Sequence, residues 1–332
     1  MDWAKKKVRA AFGWLWAPMA EPALFNLRFA ELVLMGFLLI VFGIVGTNYV
    51  EIPRTPGRMA AYSGLFLSLL VLRYLYARYP VRWIHVLAQF APLSGVFIVY
   101  FGLNPIIEIV SPRAKDGIMV AIDQWLVGTQ LSVAVQDYVP RFVNDYLALT
   151  YGSYYLWPLG LQILLYVRGR HRDFDGAGAL QMFTIFLNYL LYIAVPVQGP
   201  RYFLADRFHT DIVGLCCAER LYDAWLKVPV TFDCFPSGHT GSTMLTLMLA
   251  WHFKERRYFW LMMPFAVGLI AATLLLRFHY VTDLMAAVPI YATCFFLGLR
   301  IHERKPHGWV IERRDRANGQ RPSAGAGSPA AE

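Results

Sequence analysis

Long apolar runs recur along the 332-residue chain, separated by short polar or basic segments. They lie near residues 32–50, 60–77, 83–101, 146–166, 177–197, 238–254, 259–276 and 283–300. Each is roughly 17–21 residues long, enough as a helix of about 1.5 Å rise per residue to cross about 30 Å of hydrocarbon. The runs do not alternate apolar with polar residues, as the strands of a membrane barrel would. The expected fold is therefore all-α: a polytopic bundle of about eight transmembrane helices. The sixth run is the shortest and is expected to extend into its polar flanks. Residues 102–145 are too many for a turn, and 122–128 reads as an interfacial or re-entrant helix.

Composition supports a membrane class. Of all residues 57% are hydrophobic and only 16% charged, against about a quarter charged in a soluble domain. The first apolar run begins too deep for an ordinary cleaved signal peptide.

The net charge is +9. Its basic residues cluster at the N-terminus, around Arg78 and Arg82, in 168–172, in 254–257 and in the tail. With eight spans these five segments share one side, which the positive-inside rule makes cytoplasmic. Both termini are then cytoplasmic, with anionic lipids as partners at that face. No basic, aromatic soluble module is present for nucleic acid. The loops 51–58, 102–145, 198–237 and 277–282 face outward. Short loops with this bias fit a bacterial inner membrane.

Four regions follow. Residues 1–26 place Lys5, Lys6, Lys7 and Arg9 beside Phe12, Trp14, Leu15 and Trp16. That suits either an amphipathic segment on the cytoplasmic surface or a simple basic tail. Residues 27–101 hold three accessory spans, and 102–300 form the catalytic region. Residues 301–332 form a basic, partly disordered tail.

Two polar islands carry the candidate chemistry. Pro236-Ser237-Gly238-His239 precedes the sixth run, and Arg277-Phe278-His279-Tyr280-Val281-Thr282-Asp283 follows the seventh. The forty residues between the histidines make two crossings and a turn, so His239 and His279 emerge at one level. Arg201 follows the fifth run at that same level. Ionisable groups at a membrane edge are costly and commonly functional.

Ser237 suits a helix N-cap, with Gly238 allowing close backbone approach. A helix N-terminus there suits phosphate; an ordinary capped membrane helix is the alternative. His279 and Asp283 have the spacing of one helical turn. A carboxylate can fix one imidazole nitrogen and leave the other nucleophilic, or the pair can simply close a helix end. Arg201 and Arg277 suit a bidentate phosphate clamp or interfacial snorkelling. No metal is expected: no acidic cluster accompanies the histidines, and the arginines would repel a cation. No other cofactor is expected. Cys216 or Cys217 can pair with Cys234 outside the cytoplasm.

These residues resemble the type 2 phosphatidic acid phosphatase superfamily, whose motifs are Lys-x6-Arg-Pro, Pro-Ser-Gly-His and Ser-Arg-x5-His-x3-Asp. The second is complete at Pro236–His239. In the third, His279 and Asp283 match, while Thr273 stands at the arginine position. Arg277, two before the histidine, is the arrangement of the inositol phosphorylceramide synthase branch, which the Asp123-x-x-Leu126-x-Gly128 stretch also resembles. In the first motif Arg201 stands for the arginine, and Ala194 for the lysine.

The resemblance implies a metal-independent phosphoryl-transfer enzyme acting on a membrane lipid phosphate ester from the outer side, most like an inositolphosphotransferase. His279 would be the nucleophile, Asp283 its orienter and His239 the general acid–base. Arg201, Arg277, Ser237 and Gly238 would hold the phosphoryl oxygens. The alternatives are a lipid phosphate phosphatase, acting on phosphatidic acid or an isoprenyl diphosphate, and a non-enzymatic lipid transporter or scaffold.

Overall fold

The computed structural model describes residues 27–304, except Pro80 and Pro229. The amphipathic segment expected in residues 1–26 and the tail from 305 onward lie outside the described residues. Among the described residues the protein is helical and contains no extended strand. Three helices come first: α1 (Phe29–Thr47), α2 (Thr55–Arg78) and α3 (Arg82–Val110). Next are α4 (Asp116–Val127), short α5 (Leu131–Ala134), α6 (Arg141–Gly152), α7 (Leu156–Val167) and α8 (His171–Ala194). A short turn α9 (Pro200–Phe203) and α10 (Ala218–Leu226) precede α11 (Gly238–His252), α12 (Arg256–Leu275) and α13 (Val281–Arg304).

Among the described residues six helices, α1, α2, α3, α8, α12 and α13, are long and apolar enough to cross a membrane. Large apolar side chains such as Leu39, Trp83, Trp260 and Phe296 stand exposed on them. That exterior needs lipid rather than water around it, so this is an integral membrane protein.

The other two expected crossings differ from a simple span. The fourth is broken into α6 and α7, each of 12 residues, by the 153–155 turn. The sixth, α11, has 15 residues and gains no length from its flanks, because Ser237 caps one end and Phe253 closes the other. The expected loop 102–145 also starts late, since α3 continues to Val110 through Pro105.

Helix α8 is the hub, packing against α1, α3, α7, α11 and α13. Its Gly176-Ala177-Gly178-Ala179 stretch lets neighbours approach closely, as small residues do between membrane helices. A buried ionic group joins the first three helices to it. Arg28 Nε donates to Asp175 at 2.5 Å, and Arg28 Nη1 donates to the Gln89 carbonyl at 2.9 Å. Arg73 pairs with Glu31 at 2.6 Å. Removing one member would strand a buried charge, which typically costs about 3–5 kcal/mol. Helix α11 packs between α12 and α13, which brings the two polar islands together.

Candidate active site

Helix α4 builds the platform. Asp116, at its start, accepts from the backbone N–H groups of Gln198 (3.0 Å) and Gly199 (2.8 Å) and from the Tyr280 hydroxyl (3.0 Å). Asp123, two turns later, accepts from Val281 N (2.9 Å), Thr282 N (2.8 Å) and Thr282 Oγ1 (2.6 Å). Both carboxylates are buried. Asp123 thus caps α13 from another helix, satisfying N–H groups that a helix start leaves unpaired. The two aspartates clamp the segment before Arg201 and the turn carrying His279 onto one support.

His279 sits in the turn between α12 and α13, not on α13 itself. Arg277 takes a left-handed conformation (φ 68°), and the N–H groups of Phe278 and His279 both donate to the Thr273 carbonyl. The one-helix geometry read from the His279–Asp283 spacing therefore does not form, because α13 starts at Val281. Nδ1 of His279 lies 2.9 Å from the Cys234 carbonyl and 3.5 Å from Asp283 Oδ2. A carbonyl oxygen only accepts, so Nδ1 carries the hydrogen and Nε2 keeps its lone pair. Asp283 Oδ2 is held by the Tyr280 N–H (2.7 Å) and by the Cys234 thiol (2.8 Å). Burial and the adjacent Asp283 push that thiol well above its ordinary range, so it remains a neutral donor.

His239 opens α11. Ser237 is the N-cap: its Oγ accepts from Thr240 N at 3.3 Å and donates to Thr240 Oγ1 at 3.0 Å. The side chain of Ser237 is fully buried in that role. The N–H groups of Gly238 and His239 make no hydrogen bond among the described residues. The His239 ring stacks on Tyr151 (4.5 Å between centroids) and leans on Tyr154 (4.4 Å). It meets His279 edge to face at 5.7 Å.

The two arginines part company. Arg201, in α9, lies between the rings of Phe278 (4.7 Å) and Tyr202 (4.9 Å) and donates through Nη2 to Asp233 at 3.3 Å. Burial, the largest influence, lowers its pKa, but Asp233 together with Tyr151, Tyr202 and Tyr100 raises it on balance. Its Nε is buried without a partner. Arg277 turns elsewhere: Nη2 donates to the Thr210 carbonyl at 2.6 Å and the guanidinium stacks on Phe208 at 4.1 Å.

A cavity of about 210 Å³ is lined by Arg201, Asp233, Gly238, His239 and Phe278 and by seven tyrosines. Ser237, Arg277, His279 and Asp283 do not line it; His279 lies behind His239 and Phe278, and Arg277 lines a separate polar cavity with Asp137, Arg141 and Asp211. Sequence reasoning read Cys234 only as a disulfide partner and missed Asp233, Asp116 and the aromatic partners of His239. Only Cys234 and Asp233 carried a signal, as residues just ahead of Pro236.

Among the described residues two groups hold potential metal ligands within 4.8 Å of one another: Cys234–His279–Asp283 and Asp145–Cys216–Cys217. In the first, the ligand atoms hydrogen-bond one another as above. In the second, Asp145 accepts from the N–H groups of Leu215, Cys216, Cys217 and Ala218. All four cysteines are free; Cys234 lies in the site and Cys216 and Cys217 lie at Asp145.

No solved structure matches the chain. A PA-phosphatase related-family protein of Dictyostelium discoideum is 25% identical over 190 residues, covering 50% of this chain and 34% of that protein. The chain thus spans about a third of the length of that curated relative. Residues 118–297, just over half the chain and spanning α4 through most of α13, match the PAP2 superfamily, and the chain belongs to that superfamily.

Proposed function

We propose that the protein is an integral-membrane phosphoryl-transfer enzyme that acts on a lipid phosphate ester through a phosphohistidine, without a metal. The observation that carries this is the His279 tautomer. Nδ1 is committed to Cys234, and Nε2 keeps a lone pair with His239 5.7 Å away between ring centroids. The edge-to-face contact of the two rings supports their acting on one phosphoryl group.

Nε2 of His279 attacks phosphorus, forming an N–P bond as the P–O bond to the leaving group breaks. His239 gives its proton to the leaving oxygen. His239 then takes a proton from the acceptor, whose oxygen attacks phosphorus and releases His279. Asp283 and the Cys234 carbonyl stabilise the charged imidazole. Arg201 and the free N–H groups at the start of α11 hold the phosphoryl oxygens. In this reading Arg277 positions the loop rather than the phosphate.

The acceptor is an alcohol in the first version, an inositolphosphotransferase-like reaction. The placement of Arg277 and the Asp123-x-x-Leu126-x-Gly128 stretch support it. The name of the Dictyostelium relative, a PA-phosphatase related-family protein, supports the second version, with water as acceptor and a lipid phosphatase as the result. The site faces outward from a bacterial inner membrane in both.

Purified protein incubated with labelled phospholipid in EDTA, with and without an alcohol acceptor, separates these. Labelled acceptor supports the transferase; phosphate release alone supports the phosphatase. A His279→Ala protein with full turnover would overturn the mechanism in both versions.

A further inference from the structure

Tyr100 stands on α3, the last of the three helices expected to be accessory, yet it lines the cavity shared by His239 and Arg201. Val96, Phe97 and Phe101 of the same helix line it too. The Tyr100 hydroxyl donates to Asp233 Oδ2 at 2.6 Å. The other oxygen of Asp233 accepts from Arg201 Nη2, at a long 3.3 Å. One turn further along α3, Asn104 Oδ1 accepts from Thr231 N (2.9 Å) and Thr231 Oγ1 (3.0 Å). Helix α3 therefore holds the loop that carries Asp233 and leads into Cys234 at two points.

A carboxylate beside a guanidinium tends to engage it with both oxygens. Such a pair would occupy the donors that a phosphate needs. Tyr100 takes one oxygen of Asp233, and the contact to Arg201 stays single. The Nε of Arg201 is left as a buried donor without a partner. A buried orphan donor is costly, and an anionic oxygen entering the cavity would satisfy it.

We infer that Tyr100 is a positioning residue of the phosphoryl-transfer site, which through Asp233 keeps the guanidinium of Arg201 open to the phosphoryl group. Helix α3 is thereby part of the active site rather than an appendage. The inference rests on the proposed role of Arg201.

Tyr100→Phe removes the hydroxyl and keeps the ring. It is expected to raise KM for the lipid phosphate roughly tenfold, the scale of one charge-assisted hydrogen bond, with a smaller change in kcat. Inhibition by orthovanadate, a phosphate mimic, should weaken by a similar factor. In an Asp233→Asn background the same substitution should add little, because the competing charge is gone. Asp233→Glu, which pushes the carboxylate toward Arg201 and leaves every residue of α3 unchanged, should also weaken vanadate inhibition, and it serves if Tyr100→Phe misfolds. Unchanged KM and vanadate inhibition in Tyr100→Phe, or an undiminished loss in the Asp233→Asn background, would overturn the inference, as would unaltered vanadate inhibition in Asp233→Glu. If His279→Ala is inactive while Tyr100→Phe is unaffected, this inference alone fails. If His279→Ala retains turnover, the phosphohistidine reading itself fails.

Discussion

His279 donates its Nδ1 hydrogen to the backbone carbonyl of Cys234, 2.9 Å away. The imidazole is thus oriented by main chain, with the Asp283 carboxylate standing behind at 3.5 Å. A carbonyl cannot be removed by a side-chain substitution, so the tautomer does not depend on Asp283 alone.

That arrangement sets the expected cost of Asp283→Asn. Where a carboxylate alone fixes the tautomer, the amide costs about 10⁴-fold in kcat. Here the loss should be clearly smaller. His239→Asn, which removes a general acid–base, should cost about 10²–10⁴-fold. Turnover of a labelled phospholipid measures both; a loss near 10⁴-fold in Asp283→Asn would show that the carbonyl does not hold the ring.

Arg201 and Arg277 should respond differently to the same change. Lysine keeps the charge but loses the planar fork. Arg201→Lys is expected to raise KM by about tenfold or more, on the scale of a charge-assisted hydrogen bond. Arg277→Lys should have the smaller effect on KM, because its guanidinium bonds Thr210 and lines another cavity. Equal effects in steady-state kinetics would contradict the separation of the two arginines.

Asp123 caps α13 across helices, accepting from two backbone N–H groups and one hydroxyl. Asp123→Ala leaves those donors buried or seeking water, which costs about 1–3 kcal/mol per unsatisfied group. Thermal unfolding in detergent should shift clearly downward, and activity should fall with it, since His279 lies two residues before the capped N–H groups. An unchanged midpoint would remove Asp123 from the platform.

The thiols should divide by environment. Alkylation requires the thiolate, and the Cys234 pKa is raised, so less thiolate is present at any given pH than in an ordinary cysteine. At pH 8, maleimide should label exposed Cys216 and leave Cys234 unmodified until the protein is unfolded. Mass spectrometry of the labelled peptides reads this directly, and early labelling of Cys234 would contradict its buried bond to Asp283.

Much of the site was legible along the chain. Pro236-Ser237-Gly238-His239 reads as a capped helix start because a cap is a local matter, settled within four residues by Ser237 and Thr240. The approach of His239 to His279 is likewise readable, because α11 and α12 run out and back with a fixed rise per residue. The placement of Arg277 was not readable. Its left-handed backbone and the ring of Phe208 decide where the guanidinium goes, and neither is visible as a pattern.

The long apolar runs by themselves determined an all-helical membrane bundle, and their spacing pointed to Arg201, His239 and His279 lying near one another, because the length of a helix fixes how far it carries the chain. It could not determine which groups touch. The Cys234 carbonyl on Nδ1, the Asp116 and Asp123 clamps and the contact from Tyr100 to Asp233 join residues 45, 83, 158 and 133 positions apart. Such pairings depend on how helices pack and turn, and only the tertiary structure decided them.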